Sequence, residues 1–558
     1  MPPENSVRST HPPLVSGRLA VWEWIALLTL FCLPPLVGMA RHPLWIDETL
    51  TLFPVPSETT SLRAFVGEFL QFPGSLRYTP LYALLVAAWA RITIPSELGL
   101  RCVNLPFLVG IALLSRAYIW RLPLRSSAAR WGALCFVALS PFYLHYSYDL
   151  RPYAALTCFG GMMLVGLLLC TEWNPRGPWL VSAGFCLAFL TQPPVILLAP
   201  LLGLVVIILG RRDIRRSMRD WVAPGVVGSV ISAGGAYYYH LVRSGGGMES
   251  WGGGGFAKNL AFIAYEFAGF SGLGPTRSQL RTLAPPSGFA SSVEVVHLSA
   301  VDWLPAAFFA VIWLAALFLA AKSMRVKPVW SVPSVRLSAF LFFGGMLFLG
   351  VFFYLIHYRF LARHVSFLYL PFLFWFMAVA AQVEWRRPAR VIFALLLLGF
   401  AASSAQLLFN PAHLRENPRG FRQAWQSALR RDASVKLWAI YPIHSVLFYL
   451  QDRDVLWVGS GAVGVSRRTG PASYQQDMID ADRADFGGAS VVCLQVPSRA
   501  IWEKLLASNR GRRVILAINR GTEFDPEGFA QKLIADPAAQ AKKLGAWPFV
   551  ECYEVLIP

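Results

Sequence analysis

Long apolar stretches fill the first three quarters of the chain, and a region of alternating apolar and charged residues follows them. Eleven stretches are candidates for membrane-spanning helices, each of which needs about 20 mostly apolar residues. They lie at 21–40, 99–118, 130–147, 152–171, 178–192, 193–210, 221–241, 302–321, 337–356, 365–383 and 389–409. A twelfth stretch, 80–94, is shorter and contains Arg91, which favours an interfacial or re-entrant segment.

Beyond residue 410 the pattern becomes that of a small α/β unit. Short runs rich in β-branched and aromatic residues predict strands at 435–441, 455–459, 490–496, 512–518 and 549–556. Apolar positions at helical spacing predict helices at 499–510 and 525–536. We therefore expect an N-terminal tail at 1–20, a membrane body of about eleven helices plus interfacial helices at 21–409, and an α/β domain at 410–558.

Charged residues divide the chain at the same place. Residues 411–558 hold 34 charged side chains, whereas the first 410 residues hold only 47. Soluble chains carry about 25% charged residues, against 15% for this chain as a whole. A soluble enzyme, a disordered chain and a small disulfide scaffold are therefore excluded.

The formal net charge of +19 is explained by membrane topology rather than by a nucleic-acid partner. With a cytoplasmic N-terminus and a non-spanning 80–94, the inner segments hold 19 basic and 5 acidic residues, and the outer segments hold 12 and 10. Short arginine-rich loops stay on the cytoplasmic side. We predict a multi-pass protein of the cytoplasmic (inner) membrane, embedded in the lipid bilayer, with its C-terminal domain extracytoplasmic.

Asp47 and Glu48 are adjacent acids just after the first apolar stretch, on the predicted outer face. Neighbouring carboxylates repel each other, which raises the pKa of one of them and favours a general base, or they hold a divalent cation. The alternative is a pair of capping acids in the first turn of a juxtamembrane helix.

The link between the third and fourth apolar stretches is the second candidate. Asp149, Arg151 and Tyr153 flank a turn there, and Pro152 suits the first position of a helix. An interfacial aromatic belt with one surface ion pair explains the tyrosines of this link, but it explains the Asp-Leu-Arg-Pro-Tyr string poorly.

The third candidate is the stretch HYRFLARHVSFLYLPFLF, residues 357–374. Arg359 and Arg363 share one helical face and lie near His364, on the outer side where basic residues are not expected. Arginines at headgroup depth favour a bound anion, with a lipid-linked phosphate as the natural candidate; ordinary headgroup contact is the alternative. A carboxylate pair and three arginines on one face meet the needs of transfer from a polyprenyl-phosphate donor.

These residues resemble the GT-C membrane glycosyltransferases of the protein mannosyltransferase and aminoarabinose transferase type, the glycosyltransferase 39/83 group. The resemblance covers about 40–410 and rests on the order of three motifs. These are an acidic motif in the first outer loop, an Arg-x-Tyr motif that opens the fourth helix, and an arginine-rich start to a late helix. Their residues are Trp45, Asp47 and Glu48; Arg151, Pro152 and Tyr153; and Arg359 and Arg363.

The resemblance implies a GT-C helical bundle that transfers a sugar from a polyprenyl-phosphate donor with inversion. It implies that Asp47 is the catalytic base, with Glu48 beside it. Donor phosphate would lie near Arg151, Arg359 and Arg363, and the second loop or acceptor side would include Asp149, Tyr153 and His364. Some members bind a divalent metal here, but the residues show no convincing ligand set; no cofactor is predicted, and metal dependence stays open.

The chain departs from the family at Thr191-Gln192-Pro193-Pro194, where relatives often carry a lysine. The alternative functions are a membrane transporter or lipid flippase, and a non-catalytic family member in envelope assembly. Almost uncharged helix interiors argue against the transporter. The sugar and the acceptor (protein, lipid or glycan) stay open, as does a disulfide between Cys493 and Cys552.

Overall fold

In a computed structural model of the chain, a helical body leads into a C-terminal domain built on one β-sheet. The structure describes residues 20–52, 79–94, 96–124, 126–210, 214–244, 256–276, 279–280, 299–326, 329–355, 361–383, 387–413, 417–450, 453–459, 462–470, 473–519, 524–547 and 550–558. The predicted fold class, a polytopic helical body followed by an α/β domain, is confirmed.

The helices of the body vary widely in length. In chain order they are α1 (Val21–Arg41), α2 (Ile46–Leu52), α3 (Pro80–Ile92), α4 (Glu97–Ile119), α5 (Ser127–Ala138), α6 (Pro141–Ser147), α7 (Tyr153–Thr171), α8 (Arg176–Thr191), α9 (Ala199–Gly210), α10 (Ile214–Ser244), α11 (Phe256–Phe267), α12 (Ala300–Val326), α13 (Pro333–Leu355), α14 (Ala362–Ala380) and α15 (Arg387–Phe409). Among the described residues, seven of these are long and apolar enough to span a membrane: α1, α4, α7, α12, α13, α14 and α15.

The other four predicted spans are helical, but their helices are either too short or not apolar enough to span a membrane. The span predicted at 130–147 is divided into α5 and α6, because Pro141 lacks the N–H that would continue a helix and begins the next one instead. The Pro193-Pro194 pair ends α8 as predicted, and leaves α8 and α9 short. Glycines, serines and tyrosines dilute the apolar residues of the 31-residue α10.

Two short helices lie beside the long ones. The stretch predicted to be interfacial or re-entrant forms α3, which with 13 residues is too short to cross a bilayer. A short link, His42–Trp45, joins α1 to α2. Helix α2 packs against α3 and also against a helix of the C-terminal domain, Ile443–Tyr449.

All five predicted strands of the C-terminal domain are present, and three further strands complete its sheet. In chain order the strands are β1 (Lys436–Ile440), β2 (Val455–Val458), β3 (Val463–Gly470), β4 (Ser473–Ile479), β5 (Val491–Leu494), β6 (Arg513–Asn519), β7 (Lys542–Trp547) and β8 (Val550–Leu556). They lie in the order β4-β3-β2-β5-β1-β6-β8-β7. Strands β2, β5, β1 and β6 are parallel, and antiparallel strands extend both edges.

Helices cover both faces of this sheet. They are α16 (Arg419–Leu429), α17 (Ile443–Tyr449), α18 (Arg499–Ser508) and α19 (Phe529–Ala535). Alternate residues of β1 face opposite ways: Trp438 packs with Trp502 of α18, while Leu437 belongs to a hydrophobic core that is continuous with the membrane body. The sheet is therefore the middle layer of three, and the layer with α17 joins the domain to the body.

Candidate active site

The first turn of α2 carries the two acids that the sequence singled out. Glu48 reaches back to accept a hydrogen bond from the Trp45 backbone N–H (3.1 Å), which is one half of a capping box. The partial positive charge at a helix N-terminus favours carboxylates in this turn. Since successive helical residues are about 100° apart around the axis, Asp47 and Glu48 point in different directions.

Glu48 is fully buried and belongs to a saturated polar cluster. Its Oε1 and Oε2 accept hydrogen bonds from Nε and Nη2 of Arg101 at 2.8 and 2.6 Å, and Oε1 also accepts the Leu150 backbone N–H at 2.5 Å. Arg101 is 1% exposed and donates in turn to carbonyl oxygens around the link between α1 and α2. Such a carboxylate positions its neighbours, because both of its oxygens already accept hydrogen bonds from them.

The loop before α7 is held by side chains of the body, and this fixes the position of Arg151. Asn104 donates from Nδ2 to the carbonyl oxygens of Asp149 (2.6 Å) and Ser147 (3.2 Å), and its Oδ1 accepts the Tyr82 hydroxyl (2.9 Å). Together with the bond from Leu150 to Glu48, these contacts fix the backbone on the N-terminal side of Arg151.

Asp47 lies against two arginines from distant parts of the chain. Its Oδ2 is 3.4 Å from Nη1 of Arg363, and its carbonyl oxygen accepts a hydrogen bond from Nη1 of Arg151 (3.2 Å). The Asp47 and Arg363 side chains are 27% and 20% exposed, so a ligand has access to both. The buried Nε atoms of both arginines have no hydrogen-bond partner in the described part of the chain.

Aromatic side chains form one wall beside the arginines. The guanidinium carbon of Arg151 lies 6.0 Å from the ring centre of Tyr153, and that ring meets Tyr146 edge-on at 5.0 Å. The Tyr146 hydroxyl donates to the buried carboxylate of Glu266 on α11 (2.9 Å). The two tyrosines therefore connect Arg151 to the buried carboxylate of Glu266 on α11.

The remaining predicted site residues are less central. The side chain of Asp149 is 1% exposed, and the Nδ1 of His364 lies 3.4 Å from the Leu361 backbone N–H. Arg359 lies outside the described residues, so its predicted role remains a prediction. In the described part of the chain, no group of three or more His, Cys, Asp or Glu side chains could hold a metal ion.

Several buried polar residues of the site were not predicted from the sequence. They are Arg101, Asn104, Tyr82 and Glu266. Arg101 and Asn104 begin an otherwise apolar helix, and polar groups at membrane depth are costly unless they are paired. That cost was the signal in the sequence that these residues are paired. Their partners lie on segments distant in the chain, so the spacing of residues does not identify them.

Comparison with known proteins finds similarity to solved structures only. No family model matches the chain, and no curated protein sequence matches it. The chain is similar to ArnT from Cupriavidus metallidurans, in the apo state and bound to undecaprenyl phosphate, with 14% identity, a TM-score of 0.43, and coverage of 96% of this chain and 98% of ArnT.

A second similarity is to the archaeal oligosaccharyltransferase AglB from Archaeoglobus fulgidus, in complex with an inhibitory peptide and a dolichol-phosphate. The identity is 12% and the TM-score 0.36, over 79% of this chain and 63% of AglB. ArnT and AglB are both GT-C glycosyltransferases, the family that the sequence motifs resemble. At these identities and scores, assignment of function depends on the side chains of this chain.

Proposed function

We propose that the chain is a membrane glycosyltransferase that moves a sugar from a polyprenyl-phosphate donor to an acceptor hydroxyl, with inversion, on the outer face of the cytoplasmic membrane. One observation carries the proposal. The partly exposed carboxylate of Asp47 pairs with Arg363, and the Asp47 carbonyl oxygen accepts a hydrogen bond from Arg151. Both guanidinium groups retain a buried Nε–H without a partner among the described residues.

Asp47 is the proposed general base. It takes the proton of the acceptor hydroxyl as the oxygen attacks the anomeric carbon of the donor sugar. Its Oδ2 lies 3.4 Å from Nη1 of Arg363, and its side chain is exposed enough for an acceptor hydroxyl to reach it. Glu48 is proposed to act indirectly, because its oxygens already accept four hydrogen bonds.

Arg151 and Arg363 are the proposed ligands of the donor phosphate. As the bond between the anomeric carbon and the phosphate oxygen breaks, negative charge grows on the departing polyprenyl phosphate. Guanidinium groups bind phosphate through paired N–H donors and stabilise that charge. Tyr153 and Tyr146 are buried, and their rings pack beside Arg151 and support its position.

Deletion of the gene and complementation with Asp47→Asn test the proposed base. We expect the deletion strain to accumulate a lipid-linked sugar, and we expect Asp47→Asn to restore membrane insertion but not transfer, with a loss of at least about 100-fold, as is typical for removal of a general base. Mass spectrometry of extracted lipids and glycans gives the readout. Asp454→Asn, at an exposed position of the C-terminal domain, is the matched control.

The same experiment separates the alternatives. Full transfer by Asp47→Asn would show that the base is wrongly assigned. A lipid-linked sugar that accumulates only on the cytoplasmic leaflet in the deletion strain would instead indicate a flippase.

Binding of undecaprenyl phosphate to the purified protein tests the arginines. Arg151→Gln and Arg363→Gln should each weaken binding about 10- to 100-fold, since a hydrogen bond to a charged group contributes about 1.5–3 kcal/mol. Arg121→Gln is the control, because Arg121 pairs with Glu172 away from this site. Equal affinity in all three variants would contradict the phosphate site.

A further inference from the structure

The link between α1 and α2 has almost no regular structure, so side chains must satisfy its backbone polar groups. Arg101 does this from the membrane body. Its Nη1 donates to the carbonyl oxygens of Met39 (3.1 Å) and His42 (2.5 Å), and its Nη2 donates to that of Pro43 (2.9 Å).

A tyrosine of the C-terminal domain satisfies the next part of the same link. The hydroxyl of Tyr449, the last residue of α17, accepts the Leu44 backbone N–H at 2.7 Å and lies 2.7 Å from Oε1 of Glu97. Tyr449 is 3% exposed. Burial raises the pKa of Tyr449, so its hydroxyl stays protonated. It donates a hydrogen bond to the Glu97 carboxylate, and the Leu44 carbonyl oxygen is a second acceptor at 3.2 Å.

Two further contacts join the domain to this segment. Arg419 of α16 pairs with Glu97, and its Nη1 donates to the Arg41 carbonyl oxygen at 3.1 Å. On α2 itself, the hydroxyl oxygens of Thr49 and Ser445 lie 2.8 Å apart. The helix that carries Asp47 is therefore held from the C-terminal domain both at its preceding link and along its side.

We propose that Tyr449 is a positioning residue of the active site: by holding the Leu44 amide and Glu97 together, it fixes the orientation of α2 and so of the Asp47 carboxylate. This inference rests on the proposed function of Asp47. The C-terminal domain then takes part in the transfer reaction itself, because a residue more than 400 positions away in the chain helps to position the base.

The hydroxyl can be tested apart from the packing of the ring. The Tyr449 ring packs against Phe448 and Phe421 in the core, and Tyr449→Phe keeps those contacts. The variant removes the acceptor for the Leu44 N–H and the donor to Glu97 and to the Leu44 carbonyl oxygen. Tyr553→Phe is the matched control, because that hydroxyl bonds to Glu551 on its own strand, β8, which lies next to the edge strand β7.

Amide hydrogen exchange tests the docking contact without any assay of activity. In Tyr449→Phe, peptides that cover residues 41–52 should exchange about tenfold faster than in the wild-type protein, and Tyr553→Phe should leave them unchanged. Unchanged exchange in Tyr449→Phe would overturn the inference.

Kinetics test the consequence for transfer. The probe is the lipid extract of the deletion strain, with membranes of that strain as the source of acceptor, and released polyprenyl phosphate is measured. A small misplacement of a reacting group costs about 100-fold; we therefore expect Tyr449→Phe to lower kcat by about 10- to 100-fold, with KM for the lipid extract within about twofold. Wild-type kcat, or a loss confined to KM, would overturn the positioning role.

Two further outcomes keep this inference distinct from the proposed function. If the wild-type protein and Tyr553→Phe both release no polyprenyl phosphate, the proposed function fails, while the exchange experiment still decides the docking contact. If Tyr449→Phe does not fold, Ser445→Ala takes its place, because loss of one hydroxyl contact to Thr49 is a milder change. It should lower kcat at least threefold with KM unchanged, and wild-type kcat would overturn the inference.

Discussion

Asp47 and Glu48 are neighbours in the chain, but their side chains lie in different surroundings. Asp47 is 27% exposed and forms a long ion pair with Arg363, at 3.4 Å. Glu48 is 0% exposed and forms a two-bonded ion pair with Arg101. Removing one partner of a buried pair leaves an uncompensated charge, whereas half-exposed pairs contribute little to stability.

Substitution of the two acids should therefore separate stability from activity. We expect Glu48→Gln to lower the free energy of unfolding by about 3–5 kcal/mol, because Arg101 is left buried without a counter-charge. Asp47→Asn should lower it by less than about 1 kcal/mol. Thermal unfolding of the purified proteins in one detergent measures both. A Glu48→Gln variant as stable as Asp47→Asn would show that the buried pair is not what holds the site together.

Residue types and spacing predicted Asp47, Arg151 and Arg363 as members of one site, and the structure brings these three together. Their chemistry is visible in the sequence because charged groups near helix ends of a membrane body are rare. The role of Arg101 was not predicted, since nothing in its sequence neighbourhood shows that it pairs with Glu48. A pairing between residues 53 positions apart depends on how the helices pack, which spacing does not encode.

At the scale of elements, one close helix contact positions the arginine side of the site. Gly160 of α7 lies so near α14 that a Cβ built on it would be 1.8 Å from the Phe367 carbonyl oxygen. Phe367 is four residues beyond Arg363 in the same short 3-10 stretch, Ala362–Leu368. Only glycine allows this approach, so the position of Arg363 depends on it.

Gly160→Ala should therefore lower both stability and transfer. Adding a methyl group to a packed contact costs about 1–3 kcal/mol, and a backbone atom gives way less easily than a side chain. Gly203→Ala is the control, since a Cβ at Gly203 would have nothing within 4 Å. Thermal unfolding and the polyprenyl phosphate release assay give the two readouts. Equal stability of the two variants would show that α14 can move away without cost.

The length of the apolar stretches predicted most helices of the body. The prediction failed where a proline divides such a stretch. The stretch 130–147 is mostly apolar, yet Pro141 divides it into α5 and α6. The C-terminal strands with continuous apolar runs were predicted because they are buried on both faces. Strands β3 and β4 were missed, since their polar sequences carry little apolar pattern and depend on pairing with β2 at the sheet edge.

At the scale of the whole molecule, the geometry of the sheet shows whether Cys493 and Cys552 can form a disulfide, a question that the sequence left open. Cys493 on β5, Ala439 on β1, Ala517 on β6 and Cys552 on β8 lie in one register row. Three strand spacings of about 4.8 Å separate the cysteines by about 14 Å, and a disulfide needs Cα atoms closer than about 7 Å. The two cysteines therefore cannot bridge, and both are free thiols.

Neither thiol should react in the folded protein. Burial raises the pKa of the Cys493 thiol, and it raises that of the Cys552 thiol to about 12. Because the thiolate is the reactive form, a raised pKa lowers the reactive fraction at pH 8. Peptide mass spectrometry after maleimide treatment at pH 8 should find both cysteines unlabelled in the native protein, and both labelled after unfolding without reductant. Failure to label the unfolded chain would indicate a bridge.

Maleimide labelling of introduced cysteines also tests the predicted orientation. Arg499 is 83% exposed in the C-terminal domain. Arg176 is exposed at the start of α8, in the segment 172–176, which is one of the inner segments in the predicted topology. In intact cells, a membrane-impermeant maleimide should label Arg499→Cys but not Arg176→Cys, and lysis should make both reactive. The wild-type protein supplies the background of its native cysteines. The reverse pattern would place the C-terminal domain, and with it the helix that carries Asp47, in the cytoplasm, where the acceptor would have to be a cytoplasmic molecule.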